Sequence, residues 1–363
     1  MNYEHTIRSL SQPGDLYRQA PNRPDYVECY ACGHYCKIRE GKSGICKIRF
    51  NENGKLMVPK GYVAALQVDP IEKKPFYHAY PNSHALSFGM LGCDFKCSFC
   101  QNWDISQTLR DPEAGRNVKV IDAESIVQHG LKYGARAVVS TYNEPLITSE
   151  WAMDVFKIAK QKGLATGYVS NGNSTPEVLD YIRPHTDLYK IDLKAYNKKA
   201  YNEMGGNLEK ILTSIKNVYK RGFWLEIVTL LIPGLNNDSD EVRGMAEFIA
   251  DLSKDIPWHI TAYHQDYKMM DQENTQPHHL LEAAKIAKDV GLNYVYPGNV
   301  HGRVGEWENT NCPNCEYTLI ERTGFRILSY NISDDGNCPE CRTKIAGIWE
   351  TPKERKRLFH FLT

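Results

Sequence analysis

HALSFGMLGCDFKCSFCQN, residues 84–102, decides the architecture. Its first seven residues make a short, apolar and aromatic segment, as a buried strand requires, bounded by the turn residue Gly92. Cys93, Cys97 and Cys100 come next, in CxxxCxxC spacing. Working outward, six more strand-like segments follow: AVVST (137–141), ATGYVS (165–170), LYKIDLK (188–194), WLEIVTLL (224–231), WHITAY (258–263) and NYVY (293–296). Helical periodicity lies between them: Leu208, Ile211, Leu212 and Ile215 keep the i, i+3, i+4, i+7 spacing, as do Val242, Met245, Ala246 and Ile249. Thr175-Pro176 reads as an N-cap with proline at N1, and Gly163, Gly222 and Gly291 read as C-terminal stops. Strands alternating with helices of this length predict a parallel α/β sheet. No GxGxxG follows the first strand, so a partial or full parallel (β/α) barrel is expected rather than a nucleotide-binding Rossmann sheet.

Polar residues gather just after the strands: the three cysteines, then Tyr142-Asn143-Glu144-Pro145, Asn171-Gly172-Asn173, Asp192 with Lys194, Pro233-Gly234-Leu235-Asn236, and His264-Gln265. In a parallel barrel these ends share one face, where active sites are built. One such loop could be only a turn; six in succession point to a site.

Composition sets the class. The chain has 363 residues, 44 Lys+Arg against 44 Asp+Glu, and 42% hydrophobic residues. That describes a globular protein and removes the electrostatic argument for a nucleic-acid or acidic-membrane partner. A KERKR stretch near the C-terminus reads as a solvated helix face. The first residues lack an apolar leader segment and no run is long enough to cross a bilayer, so a cytoplasmic protein is expected. Disulfides rarely persist there, yet the chain has 11 cysteines. They fall into three groups: Cys29, Cys32, Cys36, Cys46; Cys93, Cys97, Cys100; and Cys312, Cys315, Cys338, Cys341. Nothing is left over, which reads as three metal sites.

Thiolates suit zinc and iron–sulfur clusters. Four of them close a site; three leave one metal position open, as catalysis needs. A structural zinc knuckle is the competing reading. With Phe99 before the third cysteine, the motif resembles the CxxxCxΦC signature of the radical S-adenosylmethionine (SAM) superfamily, where Φ is aromatic. That resemblance implies a [4Fe–4S] cluster on the three cysteines, whose open iron binds SAM, and reductive cleavage of SAM to a 5′-deoxyadenosyl radical that abstracts a substrate hydrogen. Other loops resemble in particular the activating enzymes of glycyl-radical proteins such as pyruvate formate-lyase. By the same resemblance, Glu144 receives the SAM ammonium with Asn143 in support, Ser170 and Asn171 lie near the ribose, and Asp192 and Lys194 match an Asp-Leu-Lys element whose lysine pairs with the SAM carboxylate. Val169 departs from the Asp those relatives carry there. The strings DPIEKKPFYH, GCDFKCSFCQNWDISQ, STYNEP, VSNGNSTPE, IDLKAYN and YPGN resemble the radical SAM component of the AmmeMemoRadiSam system.

The outer groups flank this core. Cys312, Cys315, Cys338 and Cys341 form two CPxC knuckles, the ligand set of a zinc ribbon or a rubredoxin-type iron. The N-terminal four could hold zinc or a second [4Fe–4S] cluster, with His34 a bystander. Residues 1–28 read as irregular. The expected organisation is an N-terminal extension with its four-cysteine module (1–75), the barrel (76–304) and a C-terminal ribbon (305–363). His264 reads as solvent-facing. Expected partners are SAM, an electron donor such as flavodoxin or ferredoxin, and a protein, peptide or small-molecule substrate. The alternative from another class is a zinc-dependent interaction protein using all three cysteine groups structurally.

Overall fold

The computed structural model of the protein describes residues 3–350; the KERKR stretch lies outside them. Its centre is an eight-stranded sheet: β1 (Ala65–Pro70), β2 (His84–Gly89), β3 (Ala135–Ser140), β4 (Ala165–Ser170), β5 (Leu188–Asp192), β6 (Trp224–Leu231), β7 (Trp258–Ala262) and β8 (Val295–Gly298). The strands lie in sequence order, with β2 to β8 parallel and β1 antiparallel to β2. Among the described residues no ladder joins β1 to β8, so the barrel is partial.

Each crossover is helical: α1 (Ala123–Lys132), α2 (Ser149–Gln161), α3 (Pro176–Ile182), α4 (Leu208–Lys220), α5 (Ser239–Leu252) and α6 (Pro277–Val290) follow β2 to β7 in turn. Local chemistry sets their ends. The side chains of Asp122, Thr175, Asn207 and Asp238 each accept a first-turn N–H. Gly291 ends α6 in the left-handed region at φ 103°, which costs a residue without Cβ little. Ile211, Ile215, Val242, Met245 and Ile249 are buried, so the periodic apolar stripes face the sheet.

Two differences from the sequence reading concern the N-terminal part. Residues 1–28 are more regular than expected: after the helix Tyr3–Ser9, the strands Ser11–Pro13, Tyr17–Gln19 and Tyr26–Cys29 join two small antiparallel sheets. Such short strands carry no readable period; pairing creates them, Ser11–Pro13 with Lys55–Pro59, Tyr17–Gln19 with Tyr26–Cys29, and the latter with Lys37–Arg39. Residues 65–70, expected in the N-terminal extension, supply the edge strand of the main sheet. This module docks through a buried ion pair, Arg49 with Glu150 of α2, in which both guanidinium–carboxylate contacts are 2.7 Å. Burial would raise the Glu150 carboxyl, but Arg49 outweighs it and holds the group below its ordinary range.

The C-terminal module carries a three-stranded sheet, Thr310–Asn311, Thr318–Thr323 and Arg326–Tyr330. It bridges the gap that the partial barrel leaves. His78, between β1 and β2, contacts Tyr296 Oη of β8 through Nε2 (2.6 Å) and Ala346 O through Nδ1 (2.7 Å). Arg322 donates to Thr310 Oγ1 and Tyr77 O, so one buried polar network ties both edges of the sheet to this module.

Candidate active site

The carboxyl ends of the parallel strands surround one cavity of about 780 Å³. Cys93, Cys97, Phe99, Cys100, Asn143, Glu144, Ser170, Asn171, Asp192 and Lys194 all line it. Parallel strands with right-handed crossovers bring their ends to one rim, which is why residues a hundred positions apart meet here.

The three cysteines ride on the loop between β2 and a short helix, Trp103–Ser106. Gly92 opens the loop at φ 88°, and a Cβ there would lie 2.7 Å from Ile48 Cγ2 and 3.0 Å from Cys46 O. The cysteine loop is thus pressed onto the N-terminal module. Phe95 N donates to Cys93 Sγ at 3.4 Å, and Cys100 Sγ lies 3.2 Å from Ser106 Oγ. Burial raises all three thiols above their ordinary range, Cys97 to about 12, so ionisation here requires a cation at the sulfurs. Among the described residues no fourth thiol lines the cavity. Three soft donors and an open side fit a [4Fe–4S] cluster with one iron left uncommitted.

Glu144 is both a turn cap and a wall of the cavity. It caps the 3₁₀ turn Pro145–Thr148 by accepting from Leu146 N (3.1 Å), and it faces the open space. Its other donors are Ser170 Oγ (2.8 Å) and Asn171 N (2.7 Å). Burial, then Asp94, pushes its carboxyl up to about 8 against those hydrogen bonds. Asn143 accepts from Met90 N at 3.1 Å and so also fixes the end of β2. The Asn171 side chain donates to Asp94 rather than standing free. Asp192 sits between two ammonium groups, Lys190 and Lys194, the latter at 2.8 Å. Burial would raise the Asp192 carboxyl, but the two lysines hold it well below its ordinary range. Burial likewise opposes the Lys194 charge, and Asp192 with Cys97 more than restores it.

Several residues of the site were not legible in the sequence. Asp94, inside the cysteine motif, is 2% exposed and accepts from Asn171 Nδ2 and Asn173 Nδ2, each at 2.7 Å, pinning the cysteine loop to the loop after β4. Lys190 and Glu226 are register partners on β5 and β6, and His259 Nε2 lies 2.7 Å from Glu226 Oε2 inside the barrel. Glu226 also accepts from Tyr77 N and His78 N at 3.0 Å. Strand alternation could have flagged an inward Lys-Glu-His set, but partners on three strands meet only in register. His264 is exposed at the rim, with Nε2 2.9 Å from Gln101 Nε2. Tyr77, His301, Arg303 and Phe325 also line the cavity. Phe325 comes from the C-terminal hairpin and meets the His301 ring edge-on, with centroids 4.9 Å apart.

The other cysteine groups differ in spacing. Cys312 and Cys341 sulfurs are 3.5 Å apart, and those of Cys315 and Cys338 3.7 Å. Among the described residues these four form the one set of three or more His, Cys, Asp or Glu donors whose ligand atoms all lie within 4.8 Å of each other. Cys29, Cys32 and Cys46 are buried and Cys36 half-buried beside them. No helix of the described residues is long and apolar enough to cross a membrane.

Comparison with known proteins agrees with this geometry. Residues 89–249 match the radical SAM superfamily. An uncharacterized protein of Methanocaldococcus jannaschii is 36% identical over 323 residues, spanning 88% of this chain and 95% of its own. Pyruvate formate-lyase 1-activating enzyme of Escherichia coli is 26% identical over 180 residues, 48% of this chain and 72% of that one. The pyruvate formate-lyase-activating enzyme of Clostridium pasteurianum is 23% identical over 203 residues, with shares of 50% and 81%. The cysteine loop, the strand-end polar residues and the matched span coincide on one barrel rim: the chain belongs to the radical SAM superfamily and is a radical SAM enzyme.

Proposed function

We propose that Cys93, Cys97 and Cys100 hold the [4Fe–4S] cluster of a SAM-cleaving enzyme whose substrate is a peptide segment of another protein. When bound, cluster and SAM supply a 5′-deoxyadenosyl radical that removes a substrate hydrogen atom. The chain's own residues bind and orient. Glu144, ionised, receives the SAM ammonium; an incoming cation offsets the burial that keeps its carboxyl high. Lys194, aimed by its contact with Asp192, meets the SAM carboxylate. Ser170 and Asn171 border the ribose, and Phe99 excludes water beside the cysteines. The observation that carries the reading is one cavity that these residues share with Tyr77, His301, Arg303 and Phe325, which the SAM-binding set does not use and which are left for substrate.

Support for a protein substrate comes from the activating enzymes among the relatives, named for a protein target. Flavodoxin or ferredoxin would supply the electron, and the four C-terminal sulfurs suit zinc, since Zn–S bonds of about 2.3 Å in a tetrahedron put sulfurs about 3.8 Å apart. A cytoplasmic setting accords with cysteines that are all free. A zinc-only interaction protein accounts for the C-terminal group but not for three thiols lining a cavity. Anaerobic reconstitution with iron and sulfide, then dithionite and SAM, should release 5′-deoxyadenosine. An intact cluster that releases none overturns the proposal. With a deuterated target protein the released 5′-deoxyadenosine should gain deuterium; none gained from any protein fraction excludes a protein substrate.

A further inference from the structure

The N-terminal cysteines are buried against the active site, not in a separate knob. A Cβ on Gly92, one residue before Cys93, would lie 3.0 Å from Cys46 O. A covalent and hydrogen-bonded path joins the two cysteine groups: Gly33, next to Cys32, donates its N–H to Asn173 O at 2.8 Å, Asn173 Nδ2 donates to Asp94 Oδ2 at 2.7 Å, and Asp94 adjoins Cys93. The approach is close enough that a Cβ on Gly33 would lie 2.3 Å from Asn173 Oδ1.

Two observations separate this group from a zinc site. First, the C-terminal four sulfurs close to single-ion spacing, all within 4.8 Å of one another, whereas the N-terminal four are not among the groups of described residues gathered for one ion. A cube of four irons spreads its thiolates farther than one ion does. Second, buried donors stand idle beside it. Arg49, 1% exposed, uses both terminal nitrogens on Glu150 and Ile147 O, while its Nε has no partner. His34 Nε2, two residues from Cys32 and Cys36, is also buried without a hydrogen bond, 3.8 Å from Asp94 Oδ2. An unsatisfied buried N–H is costly, and sulfurs of an iron–sulfur cluster are acceptors that such donors serve.

We infer that Cys29, Cys32, Cys36 and Cys46 hold a second [4Fe–4S] cluster, joined to the catalytic loop through Gly33, Asn173 and Asp94. It takes one electron from a low-potential one-electron carrier protein and passes that electron on toward Cys93, with no proton moved. The relay rests on the function proposed above; the site does not.

Labile sulfide and iron in the full chain, reconstituted anaerobically, test the site. The wild type should carry about eight sulfides, and the triple variant Cys93→Ala, Cys97→Ala, Cys100→Ala about four, with the electron paramagnetic resonance signal of a reduced cluster that SAM leaves unchanged. About four sulfides in the wild type, with two zinc ions per chain, overturn the site even if 5′-deoxyadenosine is released normally; should the triple variant fail to fold, that wild-type count decides alone. Cys36→Ala tests the relay. Its 5′-deoxyadenosine release should fall at least tenfold with reduced flavodoxin and persist with dithionite. Unchanged release with flavodoxin, or equal loss with both reductants, overturns the relay.

Discussion

The two best-formed sulfur sites of this chain solve opposite problems with the same side chain. The C-terminal group is self-contained: two knuckles bring Cys312, Cys315, Cys338 and Cys341 within 4.8 Å of each other, close enough for one ion and nothing else. The barrel group gives three thiols on a single loop, held by Asn171 and Asn173 through Asp94, by Ser106 and by the N-terminal module, and leaves the fourth direction to the cavity. A closed set organises a small domain; an open set needs a scaffold to hold it open.

That contrast can be broken from either end. The largest effect is expected from Cys97→Ala, which should cut 5′-deoxyadenosine release about a thousandfold or more while circular dichroism keeps the helical signal, because the ligand set is lost and the barrel is not. Arg49→Ala strikes the scaffold of the open site: it strands buried Glu150 and should cost about 3–5 kcal/mol in denaturant unfolding of the N-terminal part, as lone buried charges do. Metal at the C-terminal group should stay in place. Lys194→Met removes one charged hydrogen bond, so SAM affinity, read by calorimetry on the reconstituted protein, should weaken about tenfold. The smallest catalytic effect belongs to Cys315→Ala. Soluble yield and one bound metal ion should be lost, yet release per intact cluster should stay within about twofold, since among the described residues this module lines the cavity through Phe325 alone. A large loss per cluster would show that the closed site also shapes the open one.

Much of the barrel was readable because its signals are local. Residues 165–170 and 224–231 are strands over the spans expected, and Thr175 caps α3 as its sequence suggests. What went unread were features made by partners far along the chain. Residues 65–70 become an edge strand only beside β2, and the strands Ser11–Pro13 and Tyr26–Cys29 pair with Lys55–Pro59 and Lys37–Arg39.

Residue order was enough to establish the class of fold, the three cysteine groups and the carboxylates and lysines that follow the strands, because periodicity, caps and ligand spacing are properties of neighbouring residues. It took the folded chain to establish that the barrel stays open, that Asp94 clamps two loops, that Lys190, Glu226 and His259 share its interior, and that Phe325 from the last module meets the cavity of the first motif. These depend on strand register and on which elements dock together, and free energy of that kind is set by the whole folded chain rather than by any window of it.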